Sequence, residues 1–269
     1  MLTTASAAPV AAFQAADAPL VSIVIVAYGT GPILAQTLAS VATNTSDDLA
    51  VEVIVVSNPH PELGQHSLVE LRLSTRGVRV LTPETNLGFG GGCELGALHA
   101  RGEFLAFVNP DVDVPPRWLE PLTEAAASDE SPIIAAPVLL NADGTVQEAG
   151  QLLSSTGVTS PLTAVPAEVS EVDYASAACW VMTAETHARL GGFDPAFHPA
   201  YFEDVDLALR ARSMGGRCVV VPTVQIVHHR GGGTPEAAEP ANAQRDVLLA
   251  RWPEIAWKQR ATRAGLSRK

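Results

Sequence analysis

Cysteine is scarce in this sequence. Three occur in 269 residues, Cys93, Cys179 and Cys218; they are far apart and form no Cys-x-x-Cys pair. An odd, scattered set argues against a disulfide framework and a zinc site, and fits buried thiols in a reducing compartment. Basic residues are few as well: 17 Lys and Arg stand against 29 Asp and Glu, for a net charge of -12. Nucleic-acid affinity rests on cations facing phosphates, so this balance argues against that class. It also means that an anionic substrate must be held locally, by a metal or by backbone amides. No apolar run reaches the ~18 residues of a membrane span. Residues 1–19, "MLTTASAAPVAAFQAADAP", lack the basic start and apolar centre of a secretion signal. They are expected to form a disordered leader on a cytoplasmic protein. No Gly/Ser- or Pro-rich linker divides the middle, so one main domain is expected.

What is present is a series of apolar runs. "VSIVIVAY" (21–28), "VEVIVVS" (51–57), "VRVLT" (78–82) and "EFLAFVNP" (103–110) are rich in β-branched residues. Strands apolar on both faces belong to a parallel sheet covered by helices on each side. Between them, Pro32 can open a helix continued by Ile33, Leu34, Leu38 and Val41. Leu63–Leu73 and Gly92–Ala100 are further candidate helices. The alternation predicts a doubly wound α/β unit. Past Asp113 the pattern changes. Residues 117–127 read as a helix, 133–140 as a strand ending in a turn at Asn141–Gly144, and 151–172 as a mobile loop. Strands at 177–183 and 217–229 flank an acidic helix whose buried face is marked by Leu207, Ala211 and Met214. The stretch 257–269 carries five basic residues and no acidic one.

Ligands bind beyond the carboxyl ends of the strands in an open parallel sheet. The polar residues there are Tyr28 and Gly29, Ser57 and Asn58, Asn86, then Asn109, Asp111 and Asp113. In "NPDVD" (109–113) the two aspartates are hard oxygen ligands suited to Mg²⁺ or Mn²⁺; an Asx-type turn closing the strand is the other reading. "VVPTVQIVHHR" (220–230) ends in His228, His229 and Arg230. Imidazole can ligate a metal, and Arg230 with the glycine amides after it suits phosphate; two surface histidines at a strand end are the alternative. "NLGFGGGCELG" (86–96) fails the G-x-G-x-x-G dinucleotide pattern at Cys93 and follows the third strand, not the first. A Gly-rich turn into a helix still permits close approach of a diphosphate or sugar. In "YFEDVDLALR" (201–210), Glu203, Asp204 and Asp206 crowd one helix start. One acid serves as a cap; three exceed that need and suggest a general base with a supporting partner.

These pieces in this order resemble glycosyltransferase family 2, with its GT-A fold. The resemblance runs from about Val21 to Thr234 and is closest to the bacterial rhamnosyltransferase-like branch. It implies a doubly wound, mostly parallel central sheet flanked by helices, with a smaller mixed acceptor-side region. The implied domain covers 20–235, with a nucleotide-sugar half (20–115), an acceptor and catalytic half (116–235), and a C-terminal helical, basic tail (236–269). The implied activity is transfer of a sugar from a nucleoside diphosphate donor to a hydroxyl, with inversion. By resemblance, Asp204 is the catalytic base with Glu203 beside it. Asp111 and His228 fall to the divalent cation, Mn²⁺ or Mg²⁺, and Asp113 is added to them from the reading of the aspartate turn. Tyr28, Gly29, Ser57, Asn58, Asn86, Gly88, Asn109 and Arg230 fall to the donor. The family pattern usually has Asp-Asn where this chain has Ser57-Asn58, and often Asn where it has Glu94.

Three functions compete. The first is this transferase, with a dTDP-deoxysugar such as dTDP-rhamnose, or a UDP- or GDP-hexose, as donor. Its acceptor would be a lipid-linked saccharide or a small molecule, in saccharide, cell-envelope or natural-product glycosylation. The second is a catalytically quiet relative that binds nucleotide sugar as a pathway partner, for which Ser57 is the support. The third, a nucleotidyltransferase, would want a basic phosphate loop after the first strand, and "YGTGPI" has no Lys or Arg. No nucleic-acid partner is expected; a homodimer is left open. The basic tail allows at most peripheral contact with the inner membrane face.

Overall fold

The computed structural model describes residues 11–14, 16–61, 75–127, 131–154, 156–229 and 238–253. The helix expected at Leu63–Leu73, Arg230 with its glycines, and the basic stretch 257–269 lie outside the described residues. The chain opens with β1 (Ala11–Ala12), β2 (Val21–Ala27), α1 (Gly31–Asn44), β3 (Val51–Ser57), β4 (Thr75–Arg76) and β5 (Val78–Leu81). It continues through α2 (Gly88–His99), β6 (Phe104–Val108), β7 (Val112–Asp113) and α3 (Leu119–Ala126). The second half holds β8 (Ile133–Leu140), β9 (Val146–Glu148), β10 (Gln151–Leu153), β11 (Thr159–Pro161), β12 (Ser170–Val172) and β13 (Cys179–Thr183). It ends with α4 (Ala184–Leu190), a 3₁₀ turn at Pro195–Phe197, α5 (Glu203–Ser213), β14 (Arg217–His228) and α6 (Ala238–Arg251).

The main sheet runs β12-β14-β8-β13-β6-β2-β3-β5. β6, β2, β3 and β5 are parallel, as the continuous apolar runs demand. β13 is antiparallel to both β6 and β8, which makes the sheet mixed. One face buries Ile23, Ile25, Leu34, Leu38, Trp118 and Leu122; the other buries Val24, Ile54, Phe107, Trp180, Phe193 and Leu207. α2 reaches the sheet through its glycines. A Cβ at Gly92 would lie 2.6 Å from Val26 Cγ1, and one at Gly96 would lie 2.3 Å from Val24 Cγ1. The three cysteines are free and buried.

Three sequence expectations need correction. Residues 151–172 are not a loop: β10 and β11 form a hairpin, and β12 pairs antiparallel with β14 as the edge of the main sheet. The leader is not wholly unstructured. β1 pairs with β4, and buried Ala11 joins the core. Met214 caps the end of α5 and is half exposed, so the helix buries Val205, Leu207, Ala208 and Ala211 but not Met214.

Candidate active site

Two short pieces of chain bring the aspartate turn to the histidine strand. β7 pairs antiparallel with the end of β14, matching Val112 to His228 and Asp113 to Val227. The backbone N–H of His229 donates to the Asp111 carbonyl at 2.9 Å. Thr37 of α1 braces the same turn from the other side, donating to the Pro110 carbonyl and accepting from the Val112 N–H. Buried Asp111 and partly buried His228 therefore face each other, with His228 Nε2 3.4 Å from Asp111 Oδ1. Asn109 Nδ2 lies 3.3 Å from the same nitrogen. Asp113 does not join them. Its carboxylate is held by His229 Nε2 at 2.8 Å and Gln36 Nε2 at 2.9 Å, and it does not line the cavity described below.

On the nucleotide-side rim, Tyr28 is 44% exposed, with its ring 4.7 Å from that of His60. Gly29 has a φ of +66, and a Cβ there would lie 2.8 Å from the His60 ring. Asn58 is a brace: its Oδ1 accepts from the Leu87 N–H and its Nδ2 donates to the Gly88 carbonyl. Asn86 Oδ1 accepts from the Gly88 N–H, closing the turn into α2. Gly88 is required there, since its φ is +72 and a Cβ would meet the Pro199 carbonyl at 2.2 Å. Ser57 ends β3 half-buried and is not among the cavity-lining residues.

The three acids of α5 have three different surroundings. Asp204 Oδ1 accepts from the Val205 N–H at 2.7 Å, and Oδ2 accepts from the Ala177 N–H at 3.4 Å. Burial pushes its carboxyl up to about 6, against these hydrogen bonds and with help from the charge of Glu148. Glu203 is buried, and its Oε2 has no partner. Burial and then the charge of Asp204 raise it well above the ordinary carboxylate range. Asp206 is fully buried and faces away from solvent onto Arg210, Arg251 and Trp252. The backbone before the pair is unusual. Tyr201 and Phe202 both hold positive φ, 83 and 66, in a region that non-glycine residues rarely enter.

One open cavity of about 940 Å³ joins these parts. It is lined by Tyr28, Asn58, Asn86, Gly88, Asn109, Asp111 and His228, and also by Glu203 and Asp204. That volume suits a bound small molecule. Sequence reasoning missed part of the wall: Tyr174 and Ser176–Ala178, which flank Asp204, and Ala241 of α6. Burial, then Asp204, raises the Tyr174 hydroxyl above its ordinary range. Only the Ser176 and Tyr174 side chains carried a readable polar signal, and they lay in a stretch without periodicity. Among the described residues no three or more His, Cys, Asp or Glu side chains group around a metal position. Asp111 and His228 still offer a carboxylate and an imidazole on one wall. That suits a divalent cation whose other ligands come from substrate phosphates.

Comparison with known proteins agrees with this architecture. The family model "Glycosyl transferase family 2" matches residues 22–164, over half the chain. O-antigen biosynthesis protein RfbC of Myxococcus xanthus is 30% identical over 237 residues, which is 81% of this chain but 18% of that protein. N-acetylglucosaminyl-diphospho-decaprenol L-rhamnosyltransferase of Mycobacterium tuberculosis is 26% identical over 241 residues, 79% of this chain and 76% of that one. Among solved structures, GalNAc-T7 with UDP, GalNAc and Mn²⁺ superposes with a TM-score of 0.72 at 17% identity, covering 89% of this chain and 49% of that one. The chain thus spans under a fifth of the first relative and about half of the structural one.

Proposed function

The chain belongs to glycosyltransferase family 2 and carries the GT-A fold, and from that premise we propose an inverting, divalent-cation-dependent sugar transfer from a nucleoside diphosphate sugar to a hydroxyl. One observation carries the reading: Asp111, His228 and Asp204 come from three separate elements and line a single cavity. Asp111 and His228 would hold Mn²⁺ or Mg²⁺, which when bound supplies a Lewis acid for the diphosphate leaving group. Tyr28 presents a half-exposed ring at the rim for the nucleobase. Gly88 opens α2 on the cavity wall, its turn held by Asn86 and packed against the Pro199 carbonyl. Asp204 takes the proton of the attacking hydroxyl on the face opposite the leaving group. Its raised carboxyl suits that task, since a base acts best when its pKa approaches the working pH. Glu203 beside it is pushed well above the ordinary carboxylate range, which favours charge on Asp204 rather than on its neighbour.

The similarity to the mycobacterial rhamnosyltransferase favours a dTDP-rhamnose-like donor and a lipid-linked saccharide acceptor; a UDP- or GDP-hexose is the alternative donor. Ser57 lies outside the cavity lining, which weakens the case for a catalytically quiet relative. The reading is tested by titrating UDP, dTDP and GDP with Mn²⁺, then following donor turnover by mass spectrometry. Asp204→Asn should keep nucleotide affinity and lower turnover by about 10²–10⁴-fold. Binding of none of the three nucleotides would sink the proposal.

A further inference from the structure

A chain of hydrogen bonds behind His228 ends in groups that can only accept, so its direction is readable. The starting point is Asp143, at the turn between β8 and β9. Its carboxyl is lowered by hydrogen bonds from the Thr145 hydroxyl and backbone, so it is an anion and can only accept. The Thr145 hydroxyl therefore donates to Asp143 Oδ1 at 2.6 Å. Its lone pair is left for Asn141 Nδ2, at 2.9 Å. That orients the Asn141 amide and turns its Oδ1 towards Gln147 Nε2, at 3.1 Å. The same Nε2 donates to the backbone carbonyl of His228 at 3.3 Å. A carbonyl cannot donate, so the Gln147 amide is fixed independently from a second side. Gln147 Oε1 then faces His228 Nδ1 at 2.8 Å. Gln147 is buried, on the short strand β9.

We infer that Gln147 is a positioning residue: it holds the His228 proton on Nδ1 and thereby presents the Nε2 lone pair to the cavity beside Asp111. Asn109 Nδ2, 3.3 Å from Nε2, can donate to a lone pair at that nitrogen, while the Asp111 carboxylate, 3.4 Å from it, competes for a proton there until a cation sits between them. A metal-ligating histidine commonly donates its other ring N–H to such a partner, which sets both tautomer and ring orientation. The inference rests on the reading of Asp111 and His228 as cation ligands. It deepens that reading by naming what fixes the imidazole.

The test uses the full chain, ¹⁵N-labelled and metal-free at pH 8, with the His228 ring signals assigned by their loss in His228→Gln. The expected long-range ¹H–¹⁵N pattern is that of the Nδ1–H tautomer. An Nε2–H tautomer, with Nδ1 bare towards Gln147, overturns the inference. In a second arm, Mn²⁺ affinity is measured by calorimetry in the presence of the nucleotide that binds best among UDP, dTDP and GDP. Gln147→Met, of similar size but without an accepting oxygen, should weaken Mn²⁺ binding by about 10–100-fold and mix the tautomers. Gln147→Glu keeps an acceptor towards Nδ1 and should retain the proton there, while its other oxygen loses the donations to Asn141 and to the His228 carbonyl. Wild-type Mn²⁺ affinity in Gln147→Met overturns the positioning role alone. Failure of the wild-type protein to bind Mn²⁺ overturns the cation reading as well. If Gln147→Met does not fold, the wild-type tautomer and Gln147→Glu still decide.

Discussion

At the scale of single residues, the acid run at 203–206 shows how one turn of helix can hold three carboxylates. Asp206 is satisfied by cations and Asp204 by backbone N–H groups, while burial and the charge of Asp204 push Glu203 towards its protonated form. The arrangement makes pH a probe of Asp204. Its carboxyl titrates near 6 in the folded chain and near 3.8 in the unfolded one. Turnover should fall on the acid side with an apparent pKa near 6, because the base must be ionised. Stability should move the other way. Between about pH 4 and 6 the folded chain holds a proton that the unfolded chain has lost, so folding weakens as pH rises through that window. Above it the full cost of burying the charge is present, up to roughly 3 kcal/mol for a gap of about two units. Asp204→Asn should therefore be more resistant to urea than wild type at pH 8, and the advantage should shrink below pH 4. A mutant equally destabilised at both pH values would contradict the placement of Asp204. Asp111 and His228 were legible in the sequence because their chemistry stands out at strand ends, and Asp204 because three acids crowd one helix start. Asp113 was legible as chemistry but not as direction, since only the pairing of β7 with β14 turns it onto His229 and Gln36. Gln147 carried no local sign at all, because its role exists only through a partner 81 positions away.

At the scale of elements, α5 is held by α6. Asp206 receives Arg210 Nε at 2.8 Å from its own helix, and Arg251 Nη1 at 3.2 Å and Trp252 Nε1 at 2.9 Å from the end of α6. Arg251 also reaches Asp194 at 2.6 Å, just before the 3₁₀ turn that leads into the acid pair. Gln244 of α6 donates to the His198 carbonyl at 2.6 Å. The helix thus ties down both sides of the segment that carries Tyr201 and Phe202 at positive φ. Removing one partner of a buried ion pair leaves the others uncompensated. Asp206→Asn should therefore cost about 3 kcal/mol in urea unfolding. Combined with Trp252→Phe, the two changes should cost less than the sum of each alone, since they share one hydrogen bond. Strict additivity would mean that α6 does not act through Asp206. The sheet strands were legible because continuous β-branched runs leave few other structures. β10, β11 and β12 were not. Each is three residues long, too short for a period, and β12 finds its register only against β14, pairing Ser170 with Val220.

At the scale of the whole molecule, charge decides how a donor can be held. The chain carries a net -12, and the carboxyl groups of Asp111 and Asp204 line its cavity. Among the described residues that line it there is no Lys or Arg. A nucleoside diphosphate entering such a site meets repulsion unless a cation arrives with it. Backbone amides at the start of α2 supply only partial positive charge. Nucleotide and metal should therefore bind as a unit, each raising the affinity of the other by the same factor. Thermal unfolding reads this directly, because a ligand that binds only the folded chain stabilises it by about 2.7 kcal/mol at a hundred times its Kd. For a chain of this size that corresponds to an increase in Tm of roughly 5–10 °C. With Mn²⁺ and the best nucleotide of UDP, dTDP and GDP together, the full shift is expected. With either one alone, a small fraction of it should remain, and EDTA added to the complex should reverse it. An equal shift from nucleotide in EDTA would mean that cations elsewhere, not a metal at Asp111 and His228, balance the diphosphate.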